Sequence, residues 1–87
     1  MVVTLKIMPE DTEVNLEELN KKVSEVISDF GGEVGKTETE PVAFGLRALK
    51  LVFIIDESKG TEEITDEISS IEGVSSAQVI DMRRTIG

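Results

Sequence analysis

The sequence predicts an α+β sandwich in which two helices cover one face of a four-stranded antiparallel sheet. Apolar residues recur at strand or helix spacing in the order strand, helix, strand, strand, helix, strand. Two right-handed strand–helix–strand crossovers place both helices on the same face of one sheet. The first and third strands are central in this arrangement and are also the most apolar, as burial requires. This is the ferredoxin-like βαββαβ architecture.

The first half of the chain supplies a strand, a helix and a weak edge strand. Val3, Leu5 and Ile7 alternate with polar residues, which indicates a half-buried strand that ends at Pro9. Asn15 is a predicted helix N-cap, with acidic residues in the first turn after it. The helix stripe is Leu16, Leu19, Val23, Val26, Ile27 and Phe30, ended by Gly31-Gly32. Residues 33–40 are polar and predict an edge strand.

The second half of the chain is predicted to form a more apolar strand, a second helix and a last strand. Residues 48–56 place Leu49, Leu51, Phe53 and Ile55 on one face, which predicts a central strand. A second helix is expected after Gly60, capped by Thr61 and closed by Gly73. The last strand is predicted from Val74 to about Arg84, with irregular alternation around Ser75-Ser76. The segment 1–87 is thus expected to be a single domain.

Composition excludes several classes of function. A domain of 87 residues leaves no room for a deep catalytic cleft. The chain has no cysteine and no histidine, and no serine or threonine has an evident activating base. We therefore expect no enzyme, no cofactor and no small-molecule substrate. No segment has the apolar length of a membrane span and no leader is recognisable, so a cytoplasmic protein without a membrane partner is expected.

The formal net charge of −9 argues against direct binding of nucleic acid, because phosphate contacts need a basic face. Two interpretations of the acidity remain: solubility, or attraction to a basic protein partner. The acidic run at Glu10, Asp11 and Glu13 lacks the spacing of a calcium loop. We expect no metal site there.

The segment PVAFGLRALK, residues 41–50, does not fit an ordinary polar connection between strands. Two interpretations are open for its apolar residues Phe44 and Leu46. They could pack under the sheet as a satellite of the core, or they could be displayed on a loop for a partner.

The chain resembles the elongation factor 1-beta family in its short archaeal form, equivalent to the C-terminal exchange domain of the longer eukaryotic proteins. The resemblance runs essentially from end to end. Its most distinctive part is the segment P-V-A-F-G-L at 41–46, and its opening and closing parts are VVTLKIMP, IEGV and DMRR.

The resemblance implies a guanine-nucleotide exchange factor for elongation factor 1-alpha, the GTPase that delivers aminoacyl-tRNA to the ribosome. In that family the loop phenylalanine belongs to the contact surface and a lysine near the C-terminus reaches toward the magnesium and phosphates. The matching position of the lysine, counted from Asp81, is Gly87. The site residues that the resemblance implies are Pro41, Ala43, Phe44, Gly45 and Leu46 at the loop, with Arg83 and Arg84 as the cations near the end.

Two other classes of function fit the same fold. The domain could be a regulatory module that dimerises through its sheet, as ACT-like domains do, although residues 8–13 contain no glycine to let a ligand approach the backbone. It could also be a scaffold that holds other translation factors. For Arg83 and Arg84, a solvated chain end is the alternative to a partner contact.

Overall fold

The computed structural model describes residues 1–56, 58 and 60–84. The sheet is antiparallel with strand order β2-β3-β1-β4. The two helices pack on one of its faces, so the predicted ferredoxin-like sandwich is confirmed. The elements are β1 (Val2–Pro9), α1 (Leu16–Asp29), β2 (Glu33–Pro41), β3 (Arg47–Ile54), α2 (Thr61–Ser69) and β4 (Val74–Arg83), with a short 3-10 turn at Ala43–Gly45 between β2 and β3.

The core lies between the helices and the two central strands. Burial alternates along the whole of β1, and along β3 from Leu49 onward, so one face of each strand is buried and the other faces away from the helices. The registers Leu5↔Leu51 and Val3↔Phe53 bring their buried faces together. The helices contribute Leu19, Val23, Ile27, Ile64 and Ile68. Burial of this one continuous apolar layer is what holds the fold together.

Helix α1 begins and ends as its sequence predicts. The Asn15 side-chain oxygen accepts hydrogen bonds from the amides of Glu17, at 2.9 Å, and Glu18, at 3.2 Å. These two amides would otherwise lack an intrahelical acceptor. After the helix, Gly31 has a φ of 86°, a left-handed conformation that favours glycine.

Helix α2 differs from the prediction at both ends. Gly60, in an extended conformation, precedes the first helical residue Thr61, and no side chain caps the helix. The helix ends at Ser69, and Gly73 instead forms the turn into β4 with a φ of 97°. The carbonyl of Gly73 accepts a hydrogen bond from the amide of Glu10 at 2.9 Å, which ties this turn to the end of β1. Within the described part of the chain, no helix has the length and apolarity that crossing a membrane requires.

The two edge strands are irregular. Strand β2 shifts register against β3 between Val34 and Lys36, and is exposed along most of its length. Strand β4 shifts register against β1 twice, which displaces Ser75 and Ile80 from the pairing. The sequence indicated the first irregularity of β4 but not the second.

Candidate partner-binding site

The hairpin between β2 and β3 ends in a turn that is closed by its own backbone. The amide of Val42 donates to the carbonyl of Leu46 at 2.9 Å, and the amide of Leu46 donates to the carbonyl of Ala43 at 3.3 Å. Phe44 and Gly45 both have positive φ, at 63° and 74°. The turn is therefore a defined structure that presents its central residue at the end of the sheet.

The side chain of Phe44 is 95% exposed. The interpretation in which Phe44 packs beneath the sheet is wrong. Leu46 is half-buried, so of the two predicted apolar residues only Phe44 extends fully into solvent. Phenylalanine at such a position exposes almost the whole of an apolar ring to water.

The backbone of Phe44 is also strained. Its dihedral angles, φ 63° and ψ 26°, lie in the left-handed region, and it is the only residue other than glycine with positive φ in the described part of the chain. A left-handed conformation costs a residue with a Cβ about 1–2 kcal/mol. Strain of this kind persists where the surrounding structure dictates it, and it is concentrated at functional sites. An exposed and strained aromatic residue is what a binding contact displays.

The predicted cations lie at the end of β4. Arg83 is the last residue of the strand, and its Nε donates to Asp81 Oδ2 at 3.1 Å. Its side chain remains 78% exposed, and Arg84 after it is exposed as well. This ion pair was not predicted from the sequence, although residues two apart on a strand share a face. Gly87, which matches the position of the family's lysine, lies outside the described residues, as do Thr85 and Ile86.

Sheet register places these two groups far apart. Pro41 pairs with Arg47 beside the Phe44 turn, at the end of the sheet where β1 finishes at Pro9. Arg83 pairs with Val2, where β1 begins. Eight residues of extended strand span about 25 Å, in a molecule 40 Å along its longest axis. The structure therefore does not bring the predicted site residues together, and it assigns them to opposite ends of the sheet.

The open face of the sheet, which the helices leave uncovered, carries paired charges rather than a reactive group. Lys36 Nζ lies 2.8 Å from Glu38 Oε1, and Lys50 Nζ lies 3.9 Å from Glu40 Oε2. The hydrogen bond from Lys36, and then its charge, lowers the pKa of the Glu38 carboxyl. Over the residues that the structure describes, no cluster of acidic side chains is arranged to hold a metal ion.

Sequence reasoning missed a cleft next to the Phe44 turn. It has a volume of about 160 Å³ and lies between the β1–α1 loop and the hairpin, where Arg47 and Gly45 form one wall. No motif marks it, because its two walls, residues 9–16 and 45–47, are far apart in the sequence and meet only when β1 and β3 pair. We refer to it as the hairpin cleft.

Known proteins match the chain along almost its whole length. The family model of the EF-1 guanine nucleotide exchange domain matches residues 2–85. Elongation factor 1-beta of Methanothermobacter thermautotrophicus is 44% identical over 85 residues, which cover 97% of this chain and 94% of that protein. Elongation factor 1-beta of Nanoarchaeum equitans is 47% identical over 77 residues, which cover 87% of this chain and 94% of that protein.

Solved structures of low sequence identity share the fold. The ACT domain from GTP pyrophosphokinase of Chlorobium tepidum aligns with a TM-score of 0.65 at 15% identity, over 92% of this chain and 97% of that domain. The C-terminal domain of the MgtC protein from Mycobacterium tuberculosis aligns with a TM-score of 0.72 at 11% identity, over 90% of this chain and 83% of that domain. At these identities the likeness concerns the fold alone. By its full-length match to the family model and its identity to the archaeal relatives, the chain belongs to the family of EF-1 guanine nucleotide exchange domains.

Proposed function

We propose that this chain releases GDP from elongation factor 1-alpha by contacting the GTPase at both ends of its sheet, so that GTP can rebind. As a member of its family the chain is a guanine nucleotide exchange factor of translation elongation. The proposal adds how its residues act. Phe44 anchors one end on the GTPase, and Arg83 or Arg84 supplies a cation at the other.

Exchange requires only differential binding. A protein that binds the nucleotide-free GTPase more tightly than the loaded form must, by linkage, weaken nucleotide binding by the same factor. GTPases hold their nucleotide through a magnesium ion, a lysine and backbone amides around the phosphates. A cation placed near those groups competes with the magnesium, and no bond needs to be made or broken by the exchange factor. The role thus needs none of the histidine or cysteine chemistry that the chain lacks.

The single observation that carries the proposal is the exposed side chain of Phe44 on a strained backbone. An apolar ring held in water by a costly backbone conformation has no role in the stability of this fold. Burial in a partner would account for both features. Large aromatic residues seated in a partner's pocket commonly dominate the binding energy of an interface.

The distance between Phe44 and Arg83 determines how the domain can contact the GTPase. Phe44 and Arg83 lie about 25 Å apart along the sheet. A GTPase that meets both must therefore contact the domain along about the length of a whole strand. The stiff sheet between the two ends would then fix where the cation sits once Phe44 is bound.

A translation factor that serves this GTPase acts in the cytoplasm and needs no membrane or nucleic acid of its own. The surplus of carboxylates would speed encounter with a basic, tRNA-binding partner, and high salt should slow that encounter.

Release of a fluorescent GDP analogue from elongation factor 1-alpha of the same organism tests the proposal. A substoichiometric amount of the chain should accelerate release with turnover. Phe44→Ala should weaken binding of the GTPase, and Arg83→Ala or Arg84→Ala should slow release more than it weakens binding. Ile80→Ala and Lys21→Ala remove an exposed apolar and an exposed cationic side chain away from both ends, and serve as matched controls. Binding without acceleration would instead indicate a scaffold, and absence of binding would refute the proposal.

A further inference from the structure

The hairpin cleft lies directly beside Phe44 and is lined by a cation that has no partner within the described part of the chain. Arg47 begins β3 and lines the cleft together with Gly45, the residue after Phe44. Its guanidinium makes no ion pair or hydrogen bond with any described residue. Arginine remains charged at every physiological pH and carries five donors in a planar fork. Its full hydrogen-bonding capacity is therefore available to a bound molecule.

The surrounding charges make this arginine unusual. Among the loops at the Phe44 end, residues 9–15, 41–47 and 72–76, Arg47 is the only cation, whereas Glu10, Asp11, Glu13 and Glu72 are all acidic. If the partner surface here were uniformly basic, Arg47 would repel it and weaken the contact. A lone cation at an otherwise acidic contact favours a partner that presents a carboxylate at that point.

The facing wall of the cleft does not supply an ion-pair partner for Arg47. Asp11 lines the same cleft, but its Oδ1 accepts the amide hydrogen of Glu13 at 2.8 Å, within its own loop. This hydrogen bond holds the Asp11 carboxylate in the loop rather than across the cleft, where no ion pair with Arg47 is formed. The free volume of about 160 Å³ accommodates a carboxylate side chain between the two walls.

We infer that Arg47 binds a carboxylate of the GTPase in the hairpin cleft, next to the pocket that receives Phe44. The inference rests on the proposed function, since it takes Phe44 as the anchor. Burial of the Phe44 ring would remove water from the neighbouring cleft and strengthen the ion pair. Arg47 is then a specificity-determining residue: Phe44 supplies apolar contact, and Arg47 selects the orientation in which a carboxylate lies beside that contact.

The test compares dissociation constants for nucleotide-free elongation factor 1-alpha, so that no nucleotide phosphate can serve as the anion. Arg47→Glu should weaken binding about tenfold or more at low salt, and added salt should reduce that penalty. Arg47→Lys should lie between wild type and Arg47→Glu, because the point charge remains and the bidentate fork is lost. Lys21→Glu on the exposed face of α1 changes the net charge equally and should alter affinity less than twofold if the effect is local.

The outcomes separate this inference from the proposed function. If the wild-type chain binds the GTPase and Phe44→Ala weakens it, while Arg47→Glu behaves like Lys21→Glu, the carboxylate inference is wrong and the exchange role stands. Tighter binding by Arg47→Glu would also overturn it, since the facing surface would then be basic. If the wild-type chain does not bind the GTPase at all, both the proposed function and the carboxylate inference are wrong. Urea unfolding of each variant is the control for folding: an unchanged free energy of unfolding shows that the substitution has left the fold intact.

Discussion

Phe44 and Phe53 belong to the same β2–β3 hairpin unit yet lie at opposite extremes of burial, with 95% and 1% of their surface exposed. Phe53 lies on β3, pairs with Val3 and Val34, and packs in the core. Phe44 lies in the turn before that strand and touches no core residue. The same type of side chain therefore stabilises the fold at one position and is free for recognition at the other.

Alanine substitutions at these two positions should have opposite effects. Phe53→Ala removes the largest fully buried side chain and should lower the free energy of unfolding by about 3–5 kcal/mol. Phe44→Ala should change it by less than about 0.5 kcal/mol, because its ring is already in water. Urea denaturation of both variants measures this contrast. A large stability loss in Phe44→Ala would mean that the ring packs against the chain in solution.

Glycine at position 44 should relieve the strain of the turn. A residue with a Cβ is penalised by about 1–2 kcal/mol in the left-handed region, whereas glycine adopts it freely. Part of this gain is offset by the greater freedom of glycine in the unfolded chain. Phe44→Gly should therefore be more stable than Phe44→Ala by about 1 kcal/mol, measured by thermal or urea unfolding. Equal stability of the two variants would show that the turn relaxes out of the left-handed conformation.

Gly32 should not tolerate a Cβ. An added Cβ would lie 2.8 Å from Ile27 Cγ2, 3.2 Å from the Ile27 carbonyl oxygen and 3.3 Å from the Ile54 carbonyl oxygen. Ile27 is fully buried and cannot move away, so Gly32→Ala should cost about 1–3 kcal/mol of unfolding free energy. Gly35→Ala is the matched control, because a Cβ added at Gly35 would come no closer than 3.7 Å to its nearest neighbour, the Val52 carbonyl oxygen. A similar loss in both variants would show that the effect does not come from the close contact with Ile27.

The Lys36–Glu38 pair predicts a measurable pKa effect with little consequence for stability. The hydrogen bond and charge of Lys36 hold the pKa of Glu38 below its ordinary value of 4.5, so Lys36→Met should raise that pKa. A carboxyl whose pKa is lowered on folding adds stability above the unfolded pKa, and this is lost as pH falls through the folded one. Both groups are exposed, so the unfolding free energy near neutral pH should hardly change. An NMR titration of the Glu38 carboxyl measures the shift, and an unchanged pKa in Lys36→Met would show that the pair does not persist in solution.

Most of the secondary structure could be predicted because burial imposes a period on the sequence. Strands β1 and β3 alternate with a period of two and helix α1 repeats its stripe at helical spacing, since each packs on one face. The errors fell at the ends of α2, where glycine and threonine each suit more than one position in a cap or turn. Gly31 and Gly32 both indicated a helix stop, but for different reasons: Gly31 needs positive φ, and Gly32 needs room beside Ile27.

The candidate site could be predicted only in part. The segment P-V-A-F-G-L was unusual enough to single out Phe44, yet two burial states remained open for it. Local sequence does not state whether an apolar residue in a turn meets the core, because that depends on where the helices end above the sheet. The isolation of Arg47 in the hairpin cleft was equally hidden, since Asp11 and Arg47 become neighbours only through strand pairing.

By itself the sequence determined the family, the order of the elements and which strands are central, because these follow from apolar periodicity and from motifs that are local in the chain. The tertiary structure alone decided that Phe44 is exposed and strained, and that it lies a full strand length from Arg83. It also decided that Arg47 lines the hairpin cleft without an ion-pair partner among the described residues. These are properties of strand register and of packing at the ends of the sheet, which arise from contacts between residues far apart in the chain.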